Sequence, residues 1–454
     1  MLMPSLDTSI ANAGLPALVQ AFGASFQSVQ WIVLAYLLAI TALIVSVGRL
    51  GDIIGRRRLL LGGIWLFTGA SLLCGAAPTL WLLIAARAAQ GLGAAIMMAL
   101  TVAMVGETVP KTRTGSAMGL LGTMSAIGTT LGPPLGGVLI AGLGWRTIFL
   151  VNVPLGVLNI YLAHRYLPAD TRKAKADRVD FDAMGTLLLA LALCAYALAM
   201  TTGHGHFGSR NAVLLLAAVC GAGLFVLAET RAALPLIHLA MFRTRSLSAG
   251  LAMSALVSTV MMTTLVVGPF YLARALGLQA VVVGLGLSAG PFVAALTGVP
   301  AGRMVDRFGA HGMTQVGLSG MAAGALSLSL APVSFGIIGY VAPIAVVTAG
   351  YALFQAANTT AIMADIRADQ RGVISGMLSL SRNLGLITGA SLMGAVFAHA
   401  TGTDVATAHA AAVATGMRMT FAVAALLIAT ALVIAAGSRF SQRHAVFSNL
   451  ESDK

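Results

Sequence analysis

An all-α polytopic membrane protein, built as two six-helix bundles with two further helices inserted between them, is the fold this sequence predicts. Three observations carry that expectation: an extreme apolar composition, a loop motif that occurs twice, and a one-sided distribution of basic residues. Of 454 residues, 58% are hydrophobic and 9% charged, and the mean hydropathy is +0.92. Both values lie far outside the range of soluble domains. A soluble chain of this composition would have to bury every face of nearly every helix.

The motif is Gly48 to Arg58, GRLGDIIGRRR, set between two long apolar runs. Such a stretch cannot lie in hydrocarbon. It is expected to form a tight turn at the cytoplasmic surface, with Gly48 and Gly55 permitting close backbone approach and Arg56 and its neighbours resting at the anionic leaflet. The pattern returns at Gly302 to His311, GRMVDRFGAH, where Gly302, Arg303, Asp306 and Gly309 repeat Gly48, Arg49, Asp52 and Gly55 at a constant offset of 254. Gly115, Gly119, Gly128 and Gly132 recur as Gly372, Gly376, Gly385 and Gly389 at an offset of 257. The chain therefore reads as a duplication whose halves face each other across a central axis.

A span needs about 20 mainly apolar residues. On that measure fourteen runs qualify, near 1–19, 30–47, 59–76, 80–105, 115–140, 147–166, 183–202, 211–229, 247–271, 281–300, 313–331, 336–364, 372–397 and 417–437. The loops test this count independently: even-numbered loops and the tail hold 21 of the 27 Lys and Arg residues, whereas the odd-numbered loops hold four. Such asymmetry places both termini in the cytoplasm, which requires an even number of spans. The offsets match spans 1–6 to spans 9–14, leaving spans 7 and 8 as an insertion. The expected organisation is a first bundle over 1–166, a cytoplasmic linker with the inserted pair over 167–245, a second bundle over 246–437 and a cytoplasmic tail over 438–454.

The loop motif between spans 2 and 3 resembles that of the major facilitator superfamily, and further stretches narrow the resemblance to its fourteen-span drug:proton antiporter branch. They are LDTSIANAGLP at Leu6 to Pro16, WIVLAYLL at Trp31 to Leu38, GWRTIFLVNVPLG at Gly144 to Gly156 and DFDAMG at Asp180 to Gly185, while ARAAQGLGAA around Arg87 resembles the family's span 4 motif and GTTLGPPLGG at Gly128 to Gly137 the superfamily's antiporter motif. The resemblance implies the major facilitator fold, multidrug efflux in exchange for protons, a bacterial inner-membrane location, and a monomer that works with a small-molecule substrate, protons and the bilayer. It also implies two or three more apolar turns before the span 1 aspartate than the six residues found here, which reach only about 9 Å. Span 1 is accordingly expected to be short or to begin further upstream.

Charges inside spans cost ~2.5–3.5 kcal/mol each on insertion scales, so each calls for a functional explanation. Three are clear: Asp7 in span 1, Arg87 in span 4 and Arg382 in span 13. Asp7 shares a face with Ala11 and Gly14, so another helix can approach it closely. Burial and a neighbouring arginine act in opposite senses on a carboxylate's proton affinity, which suits a group that binds and releases a proton. Asp7 and Arg87 are therefore the expected coupling pair, against the plainer reading of helix-to-helix ties. Gln90 follows Arg87 by three residues on the same face. With Tyr351, Gln355 and Asn358, a polar stripe in span 12, and Arg382, it is assigned to the substrate cavity, although such stripes more often join helices. In span 5, Gly132, Pro133 and Gly136 are expected to kink the helix and let its counterpart in the other half come close, forming a pivot. The resemblance implies that Asp52 meets the N-terminus of span 13 and helps close the cytoplasmic side, with Asp306 acting likewise for the other half.

Other chemistry finds no support. The net charge of +13 is explained by cytoplasmic loops rather than by nucleic acid. Cys74, Cys194 and Cys220 lack ligand spacing, GLSAG at Gly286 to Gly290 lies within a span instead of at a strand-to-helix turn, and His204 and His206 read as loop. No phosphate-binding loop or zinc motif occurs, so no cofactor is expected, a proton gradient is the energy source, and the chain is not an enzyme. The same-class alternative is an exporter of an endogenous metabolite or an anionic antibiotic. A sensor or intramembrane enzyme is the different-class alternative.

Overall fold

The structure, a computed structural model, describes residues 1–24, 26–110, 113–167, 183–201, 208–231, 239–278, 280–364, 366, 370–402 and 409–452. Every regular element among them is helical, as an uninterrupted apolar chain in lipid requires, since each backbone polar group must be satisfied within its own segment. The first set comprises α1 (Leu2–Phe22), α2 (Phe26–Ile54), α3 (Arg56–Ala76), α4 (Leu80–Thr108), α5 (Thr114–Leu143), a short α6 (Thr147–Leu150) and α7 (Asn152–Tyr166). A pair follows, α8 (Ala183–Thr201) and α9 (Ser209–Arg231). The last set is α10 (Arg245–Phe270), α11 (Ala280–Phe308), α12 (Ala310–Leu330), α13 (Ile338–Ala364), α14 (Arg371–Thr401) and α15 (Ala410–Ser452).

Among the described residues, nine helices are long and apolar enough to cross a membrane, or ten if the bent α5 counts as one span. The remaining long helices are α1, α2, α8 and α12; in α2 and α8 the apolar stretch is shorter, Trp31–Ile44 and Met184–Met200. Large apolar side chains such as Trp65, Trp81, Val138, Val219 and Leu426 are exposed on the perimeter, where lipid would cover them. The segment 438–452, expected as a tail, continues α15 as helix. The linker at 168–182 and the pair His204 and His206 lie outside the described residues.

The duplication is visible in local geometry. Gly55 and Gly309 open α3 and α12 with φ of 105° and 85°, a region that side chains with a Cβ avoid. Packing repeats as well: a methyl placed on Gly132 would collide with Ser9 of α1, and one on Gly389 would lie 2.5 Å from the Thr259 carbonyl oxygen of α10. Thus α5 lies against α1 as α14 lies against α10. The α8/α9 pair packs beside α2 and α14, where Tyr196 bonds with Thr388 and Ser391 donates to the Met200 carbonyl.

Candidate functional site

The most enclosed polar feature is a charged cluster inside the first set of helices. Asp7 and Arg87 are 1% and 0% exposed, and Arg87 Nη1 donates to Asp7 Oδ2 at 2.5 Å. Asp7 Oδ1 accepts from Gln90 Nε2 at 2.9 Å and from Asn152 Nδ2 at 2.7 Å. Arg87 also donates to Gln90 Oε1 at 2.6 Å and to the Ile32 carbonyl at 3.2 Å, and its guanidinium lies 4.2 Å from the centre of the Tyr36 ring. Gln90 Nε2 in turn donates to Ser71 Oγ at 2.7 Å. Side chains from α1, α2, α3, α4 and α7 thus meet in one network, which is what makes two charges tolerable away from water. Arg87 Nη2 and Asn152 Oδ1 have no hydrogen-bond partner among the described residues, so the network is not fully satisfied.

The second feature is a cavity of about 300 Å³ between the two sets of helices. One wall is α5, with Met118, Ser125 and Thr129; the other comes from α10, α11, α13 and α14, with Met261, Leu287, Tyr340, Tyr351, Gln355 and Arg382. Gln355 and Arg382 also line an adjoining space of about 80 Å³, together with Asn358 and Ser379. Apolar walls with a few converging polar groups are the usual character of a small-molecule site.

Beyond the cavity the two sets meet at the arginine-rich end. A methyl on Gly119 of α5 would strike the Gly298 carbonyl of α11, and it would lie 3.3 Å from Gly302 Cα. Asp306, near the end of α11, accepts from both the backbone N–H and the hydroxyl of Ser116, at 3.0 and 2.6 Å, in the first turn of α5. A carboxylate there satisfies a free N–H and opposes the positive end of the helix dipole. On the opposite side, Ser375 of α14 donates to the Ala99 carbonyl of α4 at 2.7 Å. This end is closed, and the cavity lies on its far side.

Asp7 and Arg87 come together as their chemistry suggests, and Tyr351, Gln355 and Arg382 converge on the cavity. Gln90, assigned to the cavity, belongs to the Asp7 cluster instead, because a residue three positions from Arg87 must point the same way. Asn358 donates to the Gly250 carbonyl of α10 at 3.0 Å and ties two helices together. Helix α5 bends by 40° between Ser116–Gly132 and Pro134–Leu143, as its paired prolines suggest. The close neighbour of Gly132 is α1 of its own half, however, and the cross-half contact falls at Gly119. Gly48 and Gly136 are buried, Gly302 borders the closed end and Arg56 begins α3. The side chains of Asp52 and Pro133 lie outside the described residues. Asn152, Ser71, Ser116 and Gly298 were not singled out, though Asn152 and Tyr36 sit within motifs read from the sequence.

The chain resembles known transporters in sequence and in fold. A family model described as Major Facilitator Superfamily matches residues 1–390. The multidrug resistance protein Stp of Mycobacterium tuberculosis is 34% identical over 411 residues, 88% of this chain and 74% of that protein. The riboflavin transporter RibZ of Clostridioides difficile is 28% identical over 396 residues, 87% and 86% of the two chains. Among solved structures, the human organic anion transporter MFSD10 superposes with a TM-score of 0.67 at 14% identity, covering 96% of this chain and 97% of that one, a likeness of fold.

Proposed function

This chain belongs to the Major Facilitator Superfamily of transporters, and we propose that it is a fourteen-span antiporter that exports amphipathic small molecules in exchange for protons. The observation that carries the proposal is the Asp7–Arg87 pair, a titratable group sealed inside one half of a transporter and held by a cation on a different helix. In this structure the Arg87 guanidinium faces the carboxylate directly. If a rearrangement of helices within this half, coupled to the rocking, draws α4 from α1, the carboxylate loses its cation and a proton can take the cation's place. Arg87 cannot be the carrier, since a guanidinium stays protonated. The halves, 1–166 and 246–437, would rock around the cavity, with 167–245 as linker and inserted pair. Closure through Asp306 and Ser116 would seal the cytoplasmic side, Asp52 would act likewise toward α14, and both termini would be cytoplasmic in a bacterial inner membrane. A single copy holds every group named, which supports a monomer.

The name of one relative refers to drug resistance and that of another to riboflavin, so export itself is tested first. Inverted vesicles from an exporter-deficient bacterium expressing the full chain are expected to accumulate at least one compound from a panel of cationic, neutral and anionic antimicrobials when their lumen is acid. Collapsing the gradient should stop it. Accumulation that survives the collapse, or none with any compound, contradicts proton-driven export.

A further inference from the structure

We propose that the central cavity selects amphipathic anions, with Arg382 as the group that holds the negative end of the molecule. The inference rests on the exporter reading and adds the chemical class of its cargo.

Charge bookkeeping inside the helices points this way. Asp7 is spent on Arg87, Gln90 and Asn152. Among the described residues, Arg382 is the single charged side chain lining either space, and no Asp or Glu lines them. Its Nε is buried without a hydrogen-bond partner among the described residues, and its guanidinium is hydrogen-bonded to the hydroxyl of Tyr351, a neutral group. A permanently charged guanidinium held among apolar helices, with no carboxylate lining its cavity among the described residues, is costly, and a ligand bearing the opposite charge offsets that cost where a neutral or cationic one does not. Guanidinium geometry also suits a carboxylate, sulfonate or phosphate, which can take two parallel hydrogen bonds.

The rest of the wall describes the body of the molecule. Met118, Met261, Leu287 and Pro291 offer an apolar surface, while Tyr340 and Tyr351 add aromatic rings. Ser125, Thr129, Thr264 and Gln355 can meet scattered polar substituents. A volume of about 300 Å³ is at the lower end of drug-sized sites. The cargo is thus a flat, largely apolar molecule with one acidic group at its Arg382 end.

Two dyes with the same xanthene skeleton and opposite charge, fluorescein and rhodamine 123, test this by fluorescence anisotropy on the full chain in lipid nanodiscs. Fluorescein is expected to bind more tightly than rhodamine 123 by about tenfold or more, the worth of a hydrogen bond to a charged group. Arg382→Gln should remove that advantage, Arg382→Lys should keep part of it, and Arg382→Glu should reverse it. Size-exclusion profiles identify variants that fail to fold, and the lysine variant, which keeps the charge, still decides the question if the other two are lost. Equal or tighter binding of rhodamine 123, binding of neither dye, or unchanged fluorescein affinity in Arg382→Gln overturns the inference. Equilibrium binding needs no gradient, so these outcomes are separate from those of the vesicle experiment, which judges export.

Discussion

Arg87→Met is expected to destabilise the protein by about 3–5 kcal/mol, the usual cost of removing one member of a buried ion pair. The loss is large because the Asp7 carboxylate remains, 1% exposed, with only the amides of Gln90 and Asn152 to hold it. Tyr36 also loses the cation over its ring. Replacing both partners by apolar residues of similar size is a different matter: the double variant Asp7→Leu/Arg87→Met should recover most of the loss, since two desolvated charges are then absent. Thermal unfolding of the purified single and double variants reads both results. A double variant as unstable as Arg87→Met would mean that the arginine acts through packing alone. Gradient-driven export should be absent from both, so stability and coupling separate within one pair of proteins.

Gly119→Leu is expected to hold the transporter open at its arginine-rich end. Gly119 faces the backbone of Gly298 and Gly302 across the two halves, and nothing on a rigid helix backbone can move aside for a leucine. Overpacking of this kind costs about 1–3 kcal/mol, and because it acts on one of two states only, it moves their ratio by about five- to 150-fold. Cysteines on the first turn of α5 and the last turn of α11 should cross-link readily in the parent protein and poorly in the variant. Gly132→Leu provides the contrast. Its neighbour is Ser9 of the same half, so it should lower stability in both states without selecting either. Equal cross-linking in the parent and Gly119→Leu would remove the contact from the switching mechanism.

The repeat was legible because it rests on a feature that physics makes rare, glycines that must take a positive φ, at Gly55 and Gly309. The Asp7 cluster was half legible. Charges stand out on apolar helices, so Asp7 and Arg87 declared themselves, whereas Ser71 uses a side chain that occurs throughout membrane helices, and Asn152, though inside the Gly144 to Gly156 motif, carries no charge to set it apart. Gln90 shows a readable constraint applied incompletely, since its spacing from Arg87 fixes its direction. Span 5 shows the opposite difficulty. Its glycines and prolines announce a bent, closely packed helix, but a sequence cannot say which neighbour comes close, and α1 met Gly132 while α11 met Gly119. Asp306 was expected to act for the second half as Asp52 does for the first; its bonds to Ser116 supply the contact that its position in the repeat suggests.

Asp7→Asn, assayed in inverted vesicles for both gradient-driven accumulation and substrate counterflow, tests the coupling claim most directly. Asparagine keeps the size of the side chain and can still bond with Gln90 and Arg87, but it cannot take up a proton. Accumulation driven by an acid lumen is expected to disappear while exchange of labelled for unlabelled substrate, which needs no net proton movement, continues. Accumulation that persists in Asp7→Asn at the parent level, or loss of counterflow together with accumulation in a folded protein, would contradict a proton-carrying role for Asp7.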